Sequence, residues 1–354
     1  MFEESDSNQL HAAPMSYSFS SKHFSKPSLR SFSEKTSVCH PKSFLNMQKL
    51  MLFAGLQCRL RSVARRVVLP VRHEVFMSWG HLWGLRSCSI SSSEQRDAQL
   101  YLSERQKKLL FILGSGRSGT QLITQLLEAS NKVAAFHEPN FFEDIATMDT
   151  FRKHPERAMG FWSDFRSVAI YRRWRAAKNK THYAEVTGTL RYHVSTIQKI
   201  FPSCPLYLLS RDGRGVVRSL MGWPELYGPR SRGAYALSPL PGDICHMRWA
   251  SMSRFERICW AWRDANECVM QAVPQVSWIQ LERLSASFQY AHDIFLQPAG
   301  IDMNYDTFNR CVSTKSPNSS REYRFPAWKD WTHKQQHQFR DICGNTMTRL
   351  GYDF

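Results

Sequence analysis

Gly114-Ser115-Gly116-Arg117-Ser118-Gly119-Thr120-Gln121 follows directly on five apolar residues, 109–113, and leads into a segment with the spacing of an amphipathic helix. An apolar run of that length suits a buried parallel strand. Small residues after it let backbone N–H groups approach an anion, and the positive end of the next helix dipole aims at the same point. Such a strand–turn–helix is suited to holding a phosphate. A Walker A loop, G-x-x-x-x-G-K-[ST], would place a Lys and a Mg²⁺-binding hydroxyl at its end. Counted from Gly114, those two positions hold Thr120 and Gln121, so both metal–nucleotide signatures are missing. The cation lies inside the loop instead, at Arg117.

Two other apolar runs end in reactive residues. Residues 206–210 lead into Arg211, with Ser219 eight positions later inside a helical stretch. A guanidinium can fork onto phosphate oxygens, and a hydroxyl one or two turns into the helix can reach the same group. Residues 133–137 end in His137-Glu138-Pro139, which puts an imidazole and a carboxylate at a strand end. Either is a candidate general base: partial desolvation raises a carboxylate toward working pH, and His needs no tuning. If strand alternation holds, only one of the two faces the cleft.

Placing these residues together requires strands alternating with helices from about residue 106. The pattern predicts strands over 109–113, 133–137, 183–186, 206–210 and 277–281. It predicts helices over 119–129, 193–200, 215–221 and 252–273, a terminal helix, and mixed helices and loops over 144–180. Residues 222–250, with four prolines and with Trp223, Tyr227, Arg230, Arg232, Tyr235, Arg248 and Trp249, form a long irregular insert. The expected fold class is α/β, a P-loop-containing three-layer sandwich whose central parallel sheet is flanked by helices. Ligands in such sheets bind beyond the carboxyl ends of the strands, where both phosphate motifs fall.

Over roughly residues 108–354 the chain resembles the sulfotransferase superfamily, whose donor is 3′-phosphoadenosine 5′-phosphosulfate (PAPS). The resemblance rests on the loop Gly116-Arg117-Ser118-Gly119-Thr120, on the spacing of Arg211 and Ser219, and on His137-Glu138-Pro139 after the second strand. It also rests on the C-terminal pattern Trp328-Lys329-Asp330-Trp331, Ile342-Cys343 and Leu350-Gly351-Tyr352. The likeness is greater to the carbohydrate and tyrosylprotein branches than to the cytosolic phenol and steroid branch, which has Lys where this loop has Arg117. It implies that Gly116, Arg117, Ser118, Gly119, Thr120 and Gln121 bind the 5′-phosphosulfate, and that Arg211 and Ser219 grip the 3′-phosphate. It further implies Glu138 as general base with His137 as the rival, Arg117 stabilising the leaving phosphate, and no metal. The acceptor is expected to be a hydroxyl, on a glycan in preference to a tyrosine-bearing acidic peptide. The insert and the arginines at 172, 173 and 175 are expected to shape its site. A lid is expected over 311–324, with Lys315, Ser316, Arg321 and Arg324.

The chain departs from the family at one point. Relatives often carry Glu-Lys-Thr in the third strand, and here the residues are Glu185-Val186-Thr187. His182, Arg191 or Arg214 would have to supply the missing cation. Without it, a non-catalytic protein binding PAP (the donor without its sulfuryl group) or another nucleotide stays open, as does a P-loop nucleotide kinase-like enzyme.

Composition adds less. The 354 residues carry a formal net charge of +17, which fits an anionic partner. Nucleic acid is disfavoured, because zinc-finger spacing, an aromatic RNP motif and a heptad-bearing basic region are all missing. Residues 1–105 read as a basic, Ser- and Arg-rich extension, with 11 Lys and Arg against the single acid Glu34 between Gln9 and Arg72. Such a stretch suits a mitochondrial-type transit peptide, with Met47 as a candidate start, or a disordered basic tail on a cytoplasmic protein. No apolar run reaches 18 residues, so no transmembrane segment is expected and a Golgi signal anchor is disfavoured. Nine cysteines without metal spacing suggest neither a disulfide framework nor a zinc site.

Overall fold

A computed structural model describes residues 90–354 except 230, 275 and 315–324. Most of the basic extension and most of the expected lid lie outside the described residues. The chain runs through α1 (Ser92–Ser103), β1 (Leu109–Gly114), α2 (Thr120–Ala129), β2 (Val133–His137) and α3 (Phe141–Lys153). A short helix, Ala158–Phe161, passes through a π turn, Trp162–Arg166, into α4 (Ser167–Ala176), which is followed by β3 (His182–Thr187). After a 3₁₀ turn, Thr189–His193, come α5 (Val194–Ile200), β4 (Leu206–Ser210), α6 (Gly213–Met221), α7 (Arg254–Ala272) and β5 (Ser277–Gln280). The helices α8 (Leu281–Ala286), α9 (Phe288–Ala291), α10 (Tyr305–Ser313) and α11 (His333–Arg349) complete it.

The five strands form one all-parallel sheet in the order β2-β3-β1-β4-β5, flanked by helices on both faces, which is the expected α/β architecture. The connection out of β1 runs toward one edge of the sheet, while those out of β3 and β4 run toward the other. The carboxyl end of β1 is therefore a topological switch point, where open α/β sheets bind ligands. Alternation sorts the strand side chains. Leu110, Ile112, Ala184, Val186 and Leu209 pack with Ile123, Leu126 and Leu127 of α2. Leu109, Phe111, Leu113 and Leu208 face the larger core with Trp162, Trp260, Trp262 and Phe339. Each Leu, Ile, Val or Phe among them contributes about 1.5–3 kcal/mol by leaving water. On α7 the apolar spacing of the sequence lies buried, and a capping box between Ser253 and Glu256 fixes where the helix starts.

Three features differ from expectation. First, the polar helix α1 precedes residue 106 yet packs into the fold, with Ala98 and Leu102 buried. Second, Arg172 and Arg175 lie against that helix. Nε and Nη2 of Arg172 each donate to Glu94 at 2.6 Å, and Arg175 lies 6.0 Å from the Tyr101 ring. Third, the aromatic residues of the insert mostly turn inward. Tyr227 and Tyr235 are buried, Trp223 meets Tyr235 edge-on at 5.5 Å, and Trp249 meets Trp260 at 5.0 Å. Arg254 of α7 holds the near end of the insert through the carbonyls of Met221 and Leu226.

A buried polar layer joins the exits of β2 and β3. Arg166, on the π turn, donates to Asn140 and Glu185 and lies 3.5 Å from Asp144, all fully or nearly fully buried. Thr189 donates to Asp144 at 3.2 Å, Tyr183 to Glu185 at 2.7 Å, and Arg173 to the Pro139 carbonyl at 3.4 Å. Burial lifts the Asp144 carboxyl to about 7, opposed by the Arg166 charge. Nearby His193 is buried with its Nδ1 accepting from Trp162 Nε1 at 3.0 Å, and burial, with Arg166 adding to it, pushes its pKa down to about 3.

These two groups tilt stability in opposite directions. Asp144 holds its proton more tightly folded than unfolded, so its share of stability falls as pH rises from about 4 to about 7. The share of His193 is complete above about 6.5 and is lost toward about 3. Each slope is at most about 1.4 kcal/mol per pH unit. In urea unfolding between about pH 4.5 and 6.5, Asp144→Asn should gain stability relative to wild type as pH rises, and His193→Gln should lose it. Three parallel curves would show that neither shift exists.

Candidate functional site

The loop after β1 is shaped by contacts that exclude side chains at some positions and leave room at others. A Cβ on Gly114 would lie 2.5 Å from Ser118 Oγ and 2.8 Å from the Leu209 carbonyl. Ser118 is fully buried, and both its hydroxyl (2.7 Å) and its amide (3.2 Å) donate to the Ser115 carbonyl, so it closes the loop. Gly119 has φ +94 and presses against Leu281, a conformation and a contact that only glycine accommodates without strain. It caps α2, whose first N–H groups, at Thr120 and Gln121, have no partner within the helix. Gly116 is exposed, and a Cβ there would find nothing within 4 Å, so open space lies in front of the loop. Ser115 Oγ is enclosed without a hydrogen-bond partner, a donor that a bound oxyanion would satisfy.

Arg117 has φ +73, in the left-handed region that favours glycine. Its Nε donates to Ser219 Oγ at 2.8 Å, across 102 residues of sequence. Arg211 Nη1 donates to the Arg117 carbonyl at 2.9 Å, across 94 residues. Arg211 lies beside the first turn of α6, where a Cβ on Gly215 would be 3.6 Å from its guanidinium, and its own carbonyl accepts from Trp262 Nε1 at 3.3 Å. Thus Arg117, Arg211 and Ser219 meet at one point.

His137 and Glu138 both reach the neighbourhood of the loop. His137 is the last residue of β2, and its Nε2 lies 2.9 Å from Thr120 Oγ1 at the head of α2. Glu138 donates its N–H to the Val186 carbonyl at 3.2 Å and then turns the chain with φ +46. His137 Nδ1 and Glu138 Oε2 are 4.0 Å apart, each side chain about one-fifth exposed. Alternation does not choose between them, because Glu138 stands past the strand end.

Val186 is buried in the apolar layer beneath α2, in register between Ile112 and His137. Of the three cations considered in its place, His182 stands at the amino end of β3, away from the loop. Arg214 is engaged with Asp212, its Nη2 donating at 2.6 Å, and lies 5.7 Å from the Trp328 ring. Arg191 Nη1 donates to the Gly188 carbonyl at 2.8 Å. Gly188 itself abuts the loop, since a Cβ on it would sit 2.5 Å from the Gly114 carbonyl. That contact and the Thr120–His137 bond were not foreseen from the sequence. A glycine just past a strand end was the one visible hint of close backbone approach.

Among the described residues no group of three or more His, Cys, Asp or Glu could hold a metal ion. No described helix is long and apolar enough to cross a membrane. No protein-family model matches the sequence, and no curated protein matches it significantly. Among solved structures the chain is similar to a sulfotransferase from Mycobacterium avium, with 10% identity, a TM-score of 0.41, and coverage of 77% of this chain and 89% of that one. The functional reading therefore rests on the residues of the site.

Two glycine substitutions separate the shape of the loop from its use. Gly188→Ala, forced against the Gly114 carbonyl, should destabilise the protein by about 1–3 kcal/mol. Gly116→Ala, with free space around its Cβ, should stay within about 0.5 kcal/mol of wild type and yet weaken phosphate binding several-fold. Thermal melts and phosphate titration check both. Unchanged phosphate affinity in Gly116→Ala would mean that the open space is not where the anion sits.

Proposed function

We propose that the chain is a PAPS-dependent sulfotransferase, of the carbohydrate and tyrosylprotein type, acting on a hydroxyl of a carbohydrate. The observation that carries this reading is the convergence of Arg117, Arg211 and Ser219 beside a glycine-rich loop at the switch point. A donor with phosphates at both ends of its nucleoside needs two anion grips in one cleft, and these residues supply them. Gly116, Gly119, Thr120 and Gln121 offer the loop and helix-head N–H groups to the 5′ end, with Ser118 holding the loop closed. Arg211 and Ser219 take the 3′-phosphate. The open space at Gly116 and the unpartnered Ser115 hydroxyl support an oxyanion there.

PAPS supplies a sulfuryl group with a good leaving phosphate. As the acceptor oxygen bonds to sulfur, the sulfur–oxygen bond to the phosphate breaks and PAP leaves. Glu138 takes the proton of the acceptor hydroxyl. Arg117 and the loop N–H groups stabilise the negative charge that develops on the departing phosphate oxygen. The engagement of His137 Nε2 with Thr120 supports Glu138 as base, with His137 setting the Thr120 hydroxyl. The apolar surroundings of Val186 favour one other reading, a protein that binds PAP without turning it over.

Calorimetric titration of the full chain with PAP and with Mg·ATP tests the donor. PAP should bind, and Arg211→Ala should weaken it at least tenfold. A preference for Mg·ATP would point to a nucleotide kinase instead. With labelled PAPS and a panel of glycan and tyrosyl-peptide acceptors, Glu138→Gln should keep PAP affinity and lose transfer. Loss in His137→Ala alone would reassign the base, and no transfer by wild type would leave a binding protein.

A further inference from the structure

The all-parallel sheet gathers its strand entrances at the end opposite the glycine-rich loop. Three adjacent entrances are 103–108 before β1, 131–132 before β2 and 178–182 before β3. They hold Arg105, Lys107, Lys108, Lys132, Lys178 and Lys180 against one acid, Glu104. Hydrogen bonds fix these segments side by side. The amides of Thr181 and His182 donate to the Lys132 carbonyl at 2.9 and 3.0 Å, and Lys180 Nζ donates to the Asn131 carbonyl at 3.0 Å. Parallel pairing sets Leu109 opposite Tyr183 and Val133 opposite His182, so Lys108 and Lys132 flank the start of β3. Burial lowers the pKa of His182, and the charges of Lys108 and Lys132 lower it further. Ser203, before β4, donates its amide to Gln106 Oε1 at 3.0 Å and extends the same face.

Lys107, Lys108 and Lys178 are exposed. Glu104 pairs with Arg105 at 2.9 Å and Asp302 with Lys132 at 3.7 Å, while those three lysines have no ion pair among the described residues. Like charges at neighbouring strand ends repel one another, and an extended anionic surface relieves that repulsion. Lys is a compact, hydrated point charge without a fork to orient one ligand. The three segments also contain no Phe, Tyr or Trp on which a base could stack, which disfavours single-stranded nucleic acid. A bilayer of anionic phospholipid needs neither fork nor ring, because each lysine near its surface adds attraction. Leu100, 62% exposed on the last turn of α1, adds an apolar point beside the lysines. Its carbonyl accepts from the Ser103 hydroxyl at 2.8 Å and from the Glu104 amide at 3.1 Å. An open hollow of about 330 Å³ between residues 103–108 and Ser203 leaves room for a headgroup.

We propose that this face docks the protein peripherally on an anionic phospholipid surface, with Lys107, Lys108, Lys132 and Lys178 toward the headgroups. Strands of five or six residues then hold the glycine-rich loop roughly 15–20 Å from the lipid, on the side that faces away from it. Docking of this kind does not depend on which donor the loop binds.

The test is sedimentation of the full chain with two kinds of vesicle, one of phosphatidylcholine and one of about three parts phosphatidylcholine to one part phosphatidylserine. Wild type should bind only the mixed vesicles, and added salt should release it. Lys107→Gln combined with Lys108→Gln should weaken binding at least about tenfold, and Lys178→Gln alone about fivefold. Lys334→Gln combined with Arg349→Gln removes the same charge from exposed positions on α11 and should weaken it less than about threefold. Equal losses in the two double variants would mean that binding follows net charge, which overturns the face, as does the absence of binding to mixed vesicles. Single-stranded RNA and duplex DNA are titrated in parallel. Nucleic acid bound through Lys107 and Lys108, with the vesicles left unbound, overturns the bilayer and reassigns the face. If the Lys107 and Lys108 double variant fails to fold, Lys178→Gln against Lys334→Gln carries the comparison. PAP affinity should be the same in every variant. If PAP binds to none of them, wild type included, the sulfotransferase reading fails and the vesicle result still decides the docking face.

Discussion

Parallel pairing of β4 with β1, with Gly114 opposite Leu209, sets the two strand exits level, and the geometry of the site follows from that register. It brings Arg211, two residues past Leu209, to the carbonyl of Arg117, three residues past Gly114. From there the Arg117 side chain reaches Ser219 on the helix that β4 feeds. A slip of one residue would carry Leu208 and Leu209 to the wrong faces of a sheet buried on both sides, so the apolar layers enforce the register. Packing that has nothing to do with a ligand thus decides where the cationic groups stand.

The same layers hold residues in conformations they would not adopt alone. Four non-glycine residues in the described chain have left-handed φ, and two of them are Arg117 and Glu138. Each such residue costs about 1–2 kcal/mol. Arg117 is held by the Arg211 fork, and the segment after Glu138 is held by Arg166 through Asn140 and by Arg173 through the Pro139 carbonyl. Rigid support of this kind keeps a side chain in place without help from a ligand.

The five strands and the glycine-rich loop were legible because uninterrupted apolar runs and punctuating glycines are local signals. Arg117 and Arg211 were legible because each follows a strand exit, and parallel sheets bring such exits together, whereas Ser219, inside α6, was marked by the family resemblance. Helix α1 was not legible, since Ala98 and Leu102 are its only buried residues, Leu100 is exposed, and most of the rest is polar. Arg166 and Asp144 drew no notice among the many charges of that region. They are buried because they neutralise one another together with Glu185, a long-range pairing that no local pattern reveals. The insert misled in the opposite sense, as its tyrosines read as an open acceptor surface and are mostly core. Alternation failed at Glu138 because the strand had already ended.

The π turn at Trp162–Arg166 has a consequence for how this chain tolerates insertion and deletion. Such a turn holds one residue more than an α-helical turn, and each residue advances a helix by about 100°. The wider turn absorbs that residue, so removing one there would restore ordinary winding and leave α4 nearly in phase, whereas removing one inside α4 ahead of Arg172 would rotate the rest of the helix by that angle. Arg172 would swing away from Glu94 and Arg173 from Glu185, disconnecting the outer helix and the polar layer in a single event. The π turn thus acts as slack in the winding, and length in α4 is more tightly constrained than length in the turn that precedes it.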